Sequence, residues 1–456
     1  MRFQLLRHGI GLTCMGVASL SAQTAALQVP VAVDTLANGL AVIVHEDHSV
    51  PIVAVNLWYH VGSGDEKAGR TGFAHLFEHL MFTGSEHAEY PAFDRLLEAA
   101  GVDNNGSTTE DRTNYYESGP ANALPLMLWL EADRMGWLLP ATTAEKVDVQ
   151  RDVVKNERRQ SYENQPYGLA SETILGLLYP ASHPYSWPVI GSMADLSAAS
   201  VEDVKDFFRR YYAPNNASLV VAGDVRAADV MALAKRYFAD IPRGVSVERS
   251  TVTPQPLPHD TSGVLEDRVQ LARLYYVWHT VKGLAPGDAE LDLLAYILAG
   301  EKNSRLTQTL VYDSQIASSV FAYQDGKRLD GDFWVVATAK PDRALPELQP
   351  LIERELTRIA NEGPTARELD QAKNAFEAAY LRRLETVREK ADALNSFYVR
   401  TGRPDGFQAD LDRYRAVKLP DIQRVAQQFL RAPRVMLSVV PKGRTDLAAK
   451  PVEATP

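Results

Sequence analysis

Val50-Pro51-Ile52-Val53-Ala54-Val55-Asn56-Leu57-Trp58-Tyr59-His60 is an apolar run that reads as a strand ending in histidine. The chain repeats it as Val269-Gln270-Leu271-Ala272-Arg273-Leu274-Tyr275-Tyr276-Val277-Trp278-His279. The offset of about 220 residues recurs elsewhere. Ala123-Leu124-Pro125 and Ala344-Leu345-Pro346 each open a helix, with Pro in the first turn, where a missing N–H is tolerated. A helix ending in Tyr212-Ala213-Pro214 leads to a strand over Ala217–Gly223. Leu430-Arg431-Ala432-Pro433 leads in the same way to Val435–Val440. Three echoes in one order imply a duplicated domain. Long helices, expected over Val201–Tyr212 and Ala366–Ala391, are mixed with these strands. The fold class is therefore α+β: two homologous domains, each with helices packed on a mostly antiparallel sheet. A chain of 456 residues is also too long for one ordinary core.

Pro254, Pro256, Pro258 and Gly263 crowd a polar stretch, which sets a linker at 251–263 between a first domain over 27–250 and a second over 264–456. Residues 1–26 read as a cleavable export signal. Arg2 and Arg7 precede a mostly apolar stretch from Gly9 to Leu20 and small residues up to Ala26. That stretch is too short to span a bilayer, so no membrane span is expected. The only cysteine, Cys14, leaves with the signal, and the mature chain then has neither disulfides nor thiolate ligands. A periplasmic or secreted location follows. The net charge of −10 is spread without long single-sign runs, and no basic stripe interleaves with aromatic residues. Both features argue against nucleic acid as a partner.

The chemistry concentrates in Gly72-Phe73-Ala74-His75-Leu76-Phe77-Glu78-His79-Leu80-Met81-Phe82, an apolar stretch that reads as a buried helix. Residues four apart on a helix share a face, so His75 and His79 present their imidazoles together, with Glu78 close by. Two imidazoles and a carboxylate in apolar surroundings suit a zinc ion with a catalytic base beside it. The order H-x-x-E-H is the inverse of the H-E-x-x-H of many zinc peptidases. Advancing His75, Glu78 and His79 by 221 lands on Tyr296, Ala299 and Gly300. The second copy has lost the motif, so one zinc per chain is expected. A third ligand should come from an acid in the charged, helix-prone segment from Ala144 to Arg159, and spacing does not say which. His45, His48, His87 and His183 lie in polar segments and are expected to face solvent; His60 and His279, at matching strand ends, read as structural.

His75 to His79, the following Leu80-Met81-Phe82-Thr83-Gly84-Ser85, and Arg151-Asp152-Val153-Val154-Lys155-Asn156-Glu157 resemble the pitrilysin/insulinase family of zinc peptidases, which includes the mitochondrial processing peptidases. The resemblance implies the processing-peptidase fold and makes Glu157 the third zinc ligand and Glu78 the base. It also implies that Asn104 to Tyr116 form an edge strand on which peptide substrates are laid, with Asn105, Gly106, Ser107 and Thr108 as contacts. Two departures stand out. Gln150 occupies a position two turns before Glu157 where the family often has Glu, and it reads as tuning the ligand environment. After Asn303-Ser304-Arg305-Leu306, an Arg and Tyr that grip substrate in single-chain relatives are replaced by Val311 and Ser318. In two-subunit relatives a partner without the zinc motif supplies that pair. The expectation is a catalytic subunit of a heterodimer with such a homologous chain, a homodimer or a non-catalytic assembly subunit being the alternatives.

Overall fold

A computed structural model describes residues 26–253 and 255–451; the export-signal reading falls on residues outside these, save Ala26. The first half builds a six-stranded sheet from β1 (Ala32–Thr35), β2 (Ala41–Glu46), β3 (Ile52–Tyr59), β4 (Asp103–Thr108), β5 (Thr113–Pro120) and β6 (Ala217–Gly223). Its order is β1-β2-β6-β3-β5-β4. The second half builds β7 (Thr261–Asp267), β8 (Arg273–Thr280), β9 (Ala317–Gly326), β10 (Gly331–Ala339) and β11 (Val435–Pro441), in the order β7-β11-β8-β10-β9. The two sheets share one plan. β2 runs parallel to β6, as β7 does to β11, and every other pairing is antiparallel. The echoed strands β3 and β8 hold matching places, as do β6 and β11. The fold is α+β, with helices packed on two mixed, mostly antiparallel sheets.

β6 and β10 are buried along their whole length, which requires cover on both faces. One face of the first sheet carries Val42, Val55, Leu57 and Leu219 into a core shared with its own helices. The far face, with Ile43, Ala54, Val220 and Ala222, is covered by Ala391 and Leu394 of a helix from the second half, Val387–Thr401. The second sheet is treated alike: Val277, Trp334, Val336 and Leu437 pack against Ala170, Ile174 and Leu178 of the first-half helix Ala170–Leu178. Each half lends a helix to the other.

Two local expectations are corrected. The single helix expected over 366–391 is two, Ala366–Arg383 and Val387–Thr401, because Thr386 caps a new helix by accepting from the Glu389 N–H. His45 and His183 are buried, not solvent-facing: His45 Nδ1 lies 2.8 Å from the Pro30 carbonyl, and His183 stacks on Tyr179. No described helix is long and apolar enough to cross a membrane.

Candidate metal centre and active site

The motif folds as α1 (Phe73–Leu80), which buries Phe73, Ala74, Leu76, Phe77 and Leu80. Phe77 stacks on Phe207 at 5.2 Å. A fully buried Phe or Leu contributes about 1.5–3 kcal/mol, so this apolar stripe fixes the roll of a helix only eight residues long. The opposite side presents His75, Glu78 and His79. The start of α1 is capped from upstream: the buried Glu66 carboxyl group accepts from the Gly72 N–H at 3.0 Å and from the Ala74 N–H at 2.8 Å. Glu66 precedes the helix by more than a capping box spans, so no local pattern announces it.

Glu157 arrives on the helix Ala144–Arg158, begun by Thr143, whose side chain accepts from Lys146 N–H. Its Oε2 lies 3.2 Å from His79 Nε2 and 3.7 Å from His75 Nε2; the two Nε2 atoms are 3.3 Å apart. Among the described residues these three form the one group of three or more His, Cys, Asp or Glu able to share a metal. Donors tetrahedrally bound at 2.0–2.1 Å would sit about 3.3 Å apart, so the donor set suits zinc. The protonation states suit it too. Burial, then the neighbouring His79, push His75 down to about 4, which keeps the imidazole neutral. The hydrogen bond with His79 holds Glu157 below the usual carboxylate range. Neutral imidazole and ionised carboxylate are the forms that ligate metal. Gln150 lies half-buried on the same helix, two turns before Glu157.

β4 is the outer strand of the first sheet, paired only with β5. Of its expected substrate contacts, Asn105 is exposed and Ser107 donates to Asn114 Oδ1. Gly106 makes room for the base: a Cβ there would lie 3.1 Å from Glu78 Cγ. Thr108 has a role that sequence reasoning missed, since its hydroxyl donates to Glu78 Oε2 at 2.6 Å. Burial raises the Glu78 carboxyl above its ordinary value, while the Thr108 bond opposes that rise. No sequence pattern pairs residues 30 apart on a helix and a strand.

Residues 41–176 match the family described as Insulinase (Peptidase family M16), and residues 198–376 match the Peptidase M16 inactive domain. Together these cover well over half of the chain, which belongs to peptidase family M16. The zinc protease PqqE of Helicobacter pylori is 29% identical over 406 residues, spanning 87% of this chain and 89% of its own. A crystal structure of a protease from Helicobacter pylori is similar with a TM-score of 0.86 at 26% identity, over 91% of this chain and 100% of that one. The first half of the periplasmic protease PqqL from Escherichia coli shares the fold, with a TM-score of 0.76 at 20% identity over 94% of this chain and 96% of its own. The inactive-domain match covers most of the half that lacks the motif.

Proposed function

We propose that this chain is a zinc metalloendopeptidase that hydrolyses peptide bonds in extended or unfolded peptides. The observation that carries the reading is the convergence of His75 Nε2, His79 Nε2 and the Glu157 carboxylate beside Glu78 and an open sheet edge. His75, His79 and Glu157 would hold the metal. Zinc there supplies Lewis acidity, which polarises a carbonyl and brings the ionisation of water into the neutral range. Glu78 accepts the proton of the attacking water on the oxygen Thr108 leaves free, and returns it to the leaving amine. The substrate adds as a strand along β4 at Asn105 to Thr108, main chain to main chain, which favours extended peptides and reads their sequence weakly. Gln150 tunes the Glu157 environment without carrying a proton.

The chain acts as the catalytic half of a two-chain or dimeric chamber, with the domains divided at 251–263 and the protein exported to the periplasm. Val311 and Ser318 support the two-chain form, because neither offers the cation or phenol that a substrate grip needs. The inactive-domain match over 198–376 favours a second reading, a non-catalytic assembly subunit. Metal analysis with hydrolysis of a mixed library of unfolded peptides, with and without chelator, separates the two. One zinc per chain and chelator-sensitive cleavage support the peptidase; metal-free, folded and inert protein, alone and with a motif-less homologous chain, overturns it. Full activity of the chain alone, unchanged by such a partner, removes the two-chain part.

A further inference from the structure

Three turns from the two halves of the chain meet beside the motif. The first, Gly62 to Glu66, ends in the carboxyl group that caps α1. The second, Thr109 to Arg112, joins β4 to β5 immediately after Thr108, the residue that donates to Glu78. These two are in direct backbone contact: Ser63 N–H donates to Thr109 O at 3.1 Å and Gly64 N–H to Glu110 O at 2.8 Å. A Cβ on Gly62 would lie 2.2 Å from Thr109 O, so only glycine permits the approach. The third turn is the tip of the β9–β10 hairpin, Lys327-Arg328-Leu329-Asp330, which belongs to the second sheet.

Arg328 at that tip reaches both of the others. Its backbone N–H donates to Asp111 Oδ2 at 2.8 Å, and its Nε lies 3.5 Å from Asp111 Oδ1. Its Nη2 donates to Asp65 Oδ1 at 3.2 Å, and Nη1 to the Ser250 carbonyl at 3.2 Å. The Asp65 side chain is only 4% exposed and pairs with one further cation, Arg249, at 3.4 Å. Tyr185 closes the arrangement by donating to Asp111 Oδ1 at 2.6 Å while accepting from the Leu329 N–H at 3.1 Å. Asp65 adjoins Glu66, the cap of α1; Asp111 lies in the turn that directly follows Thr108. Arg328 of the motif-less half therefore ties down both flanks of the catalytic motif, its guanidinium bonding Asp65 and pairing at 3.5 Å with Asp111, which its backbone N–H also bonds.

We propose that Arg328 is a positioning residue: it holds the β4–β5 turn against the Gly62–Glu66 turn and so keeps the edge strand beside Glu78. A partly buried guanidinium between two carboxylates suits this task, because its planar fork fixes direction as well as charge. The effect on turnover rests on the reading of Glu78 as the base; the positioning itself does not.

The test compares the full chain with Arg328→Gln, Arg328→Lys and, at a separate contact between the halves, Arg268→Gln; Arg268 donates to Asn164 Oδ1 at 3.1 Å. Amide hydrogen exchange and peptide hydrolysis are followed on the same samples. In Arg328→Gln, amides of residues 104–116 should exchange at least tenfold faster while β8 and β10 keep their rates, and kcat should fall tenfold or more. Arg328→Lys should restore part of both, and Arg268→Gln should move neither. Wild-type protection over 104–116 in Arg328→Gln overturns the proposal, as does faster exchange spread evenly over both sheets. If the wild type itself cleaves no peptide, the reading of Glu78 fails, and the exchange data alone decide the role of Arg328.

Discussion

Glu78→Gln is the sharpest perturbation of the proposed chemistry. The substitution changes one oxygen to an amide nitrogen in a side chain whose surroundings are already satisfied. Thr108 donates to Oε2 at 2.6 Å, and a glutamine carbonyl accepts the same bond. Gly106 leaves room for a side chain of this size, and His75, His79 and Glu157 are untouched. What disappears is a half-buried carboxylate able to take a proton. A positioned general base contributes roughly 10²–10⁴ in rate. The variant should therefore lose about 2.7–5.5 kcal/mol of transition-state stabilisation. The assay is kcat/KM on an unfolded fluorogenic peptide, with zinc measured on the same protein by mass spectrometry. The expected result is one zinc per chain in both proteins and a turnover reduced at least a hundredfold in the variant. Turnover within a few-fold of wild type, with metal retained, refutes the assignment of Glu78 as the base.

Glu157→Ala should fold with the melting temperature of metal-free wild type, because the side chain is 39% exposed, yet lose bound metal on dialysis against a buffer that leaves the wild type loaded and correspondingly more stable. Burial pushes the Glu66 carboxyl up to about 8 from 4.5, so the folded state binds its proton more tightly than the unfolded chain does. The stability this contributes is present below the unfolded value and fades as pH rises through about 8. Thermal unfolding should thus show Glu66→Gln gaining on the wild type by about 1.4 kcal/mol per pH unit across that window, and parallel pH profiles would end the argument. Severing the chain in the stretch 251–260, ahead of β7, should leave neither half soluble alone, whereas co-expression should yield a complex by size exclusion. Each half alone exposes a sheet face carrying several aliphatic side chains worth about 1.5–3 kcal/mol apiece, against a net stability of only about 5–15 kcal/mol for a typical domain.

Most of the first-order structure was legible from local pattern. The apolar runs predicted β3, β6 and β11 to within two residues at either end, because a strand buried on both faces has no polar alternation to blur its limits; β8 begins at Arg273, four residues inside the run expected from Val269. Pro at the first turn marked the helices Leu124–Ala141 and Leu345–Glu362. The helix expected over 366–391 failed at Leu384-Glu385-Thr386, where no Gly or Pro warns of the break and a threonine cap outweighs continued helix propensity.

The sequence by itself determined the duplication, the α+β class and the imidazole pair with its neighbouring carboxylate, since these depend on spacing within one helix or one strand. Spacing left open which acid of the helix Ala144–Arg158 approaches the imidazoles, and only the resemblance named Glu157; tertiary structure brings it there, and alone decided that Thr108 engages Glu78 and that Glu66 caps the motif helix. It also decided the exchange of helices between halves and the reach of Arg328 to Asp65 and Asp111. These contacts join residues tens to hundreds of positions apart. Their geometry is set by how whole layers pack, a quantity that no window of local periodicity contains.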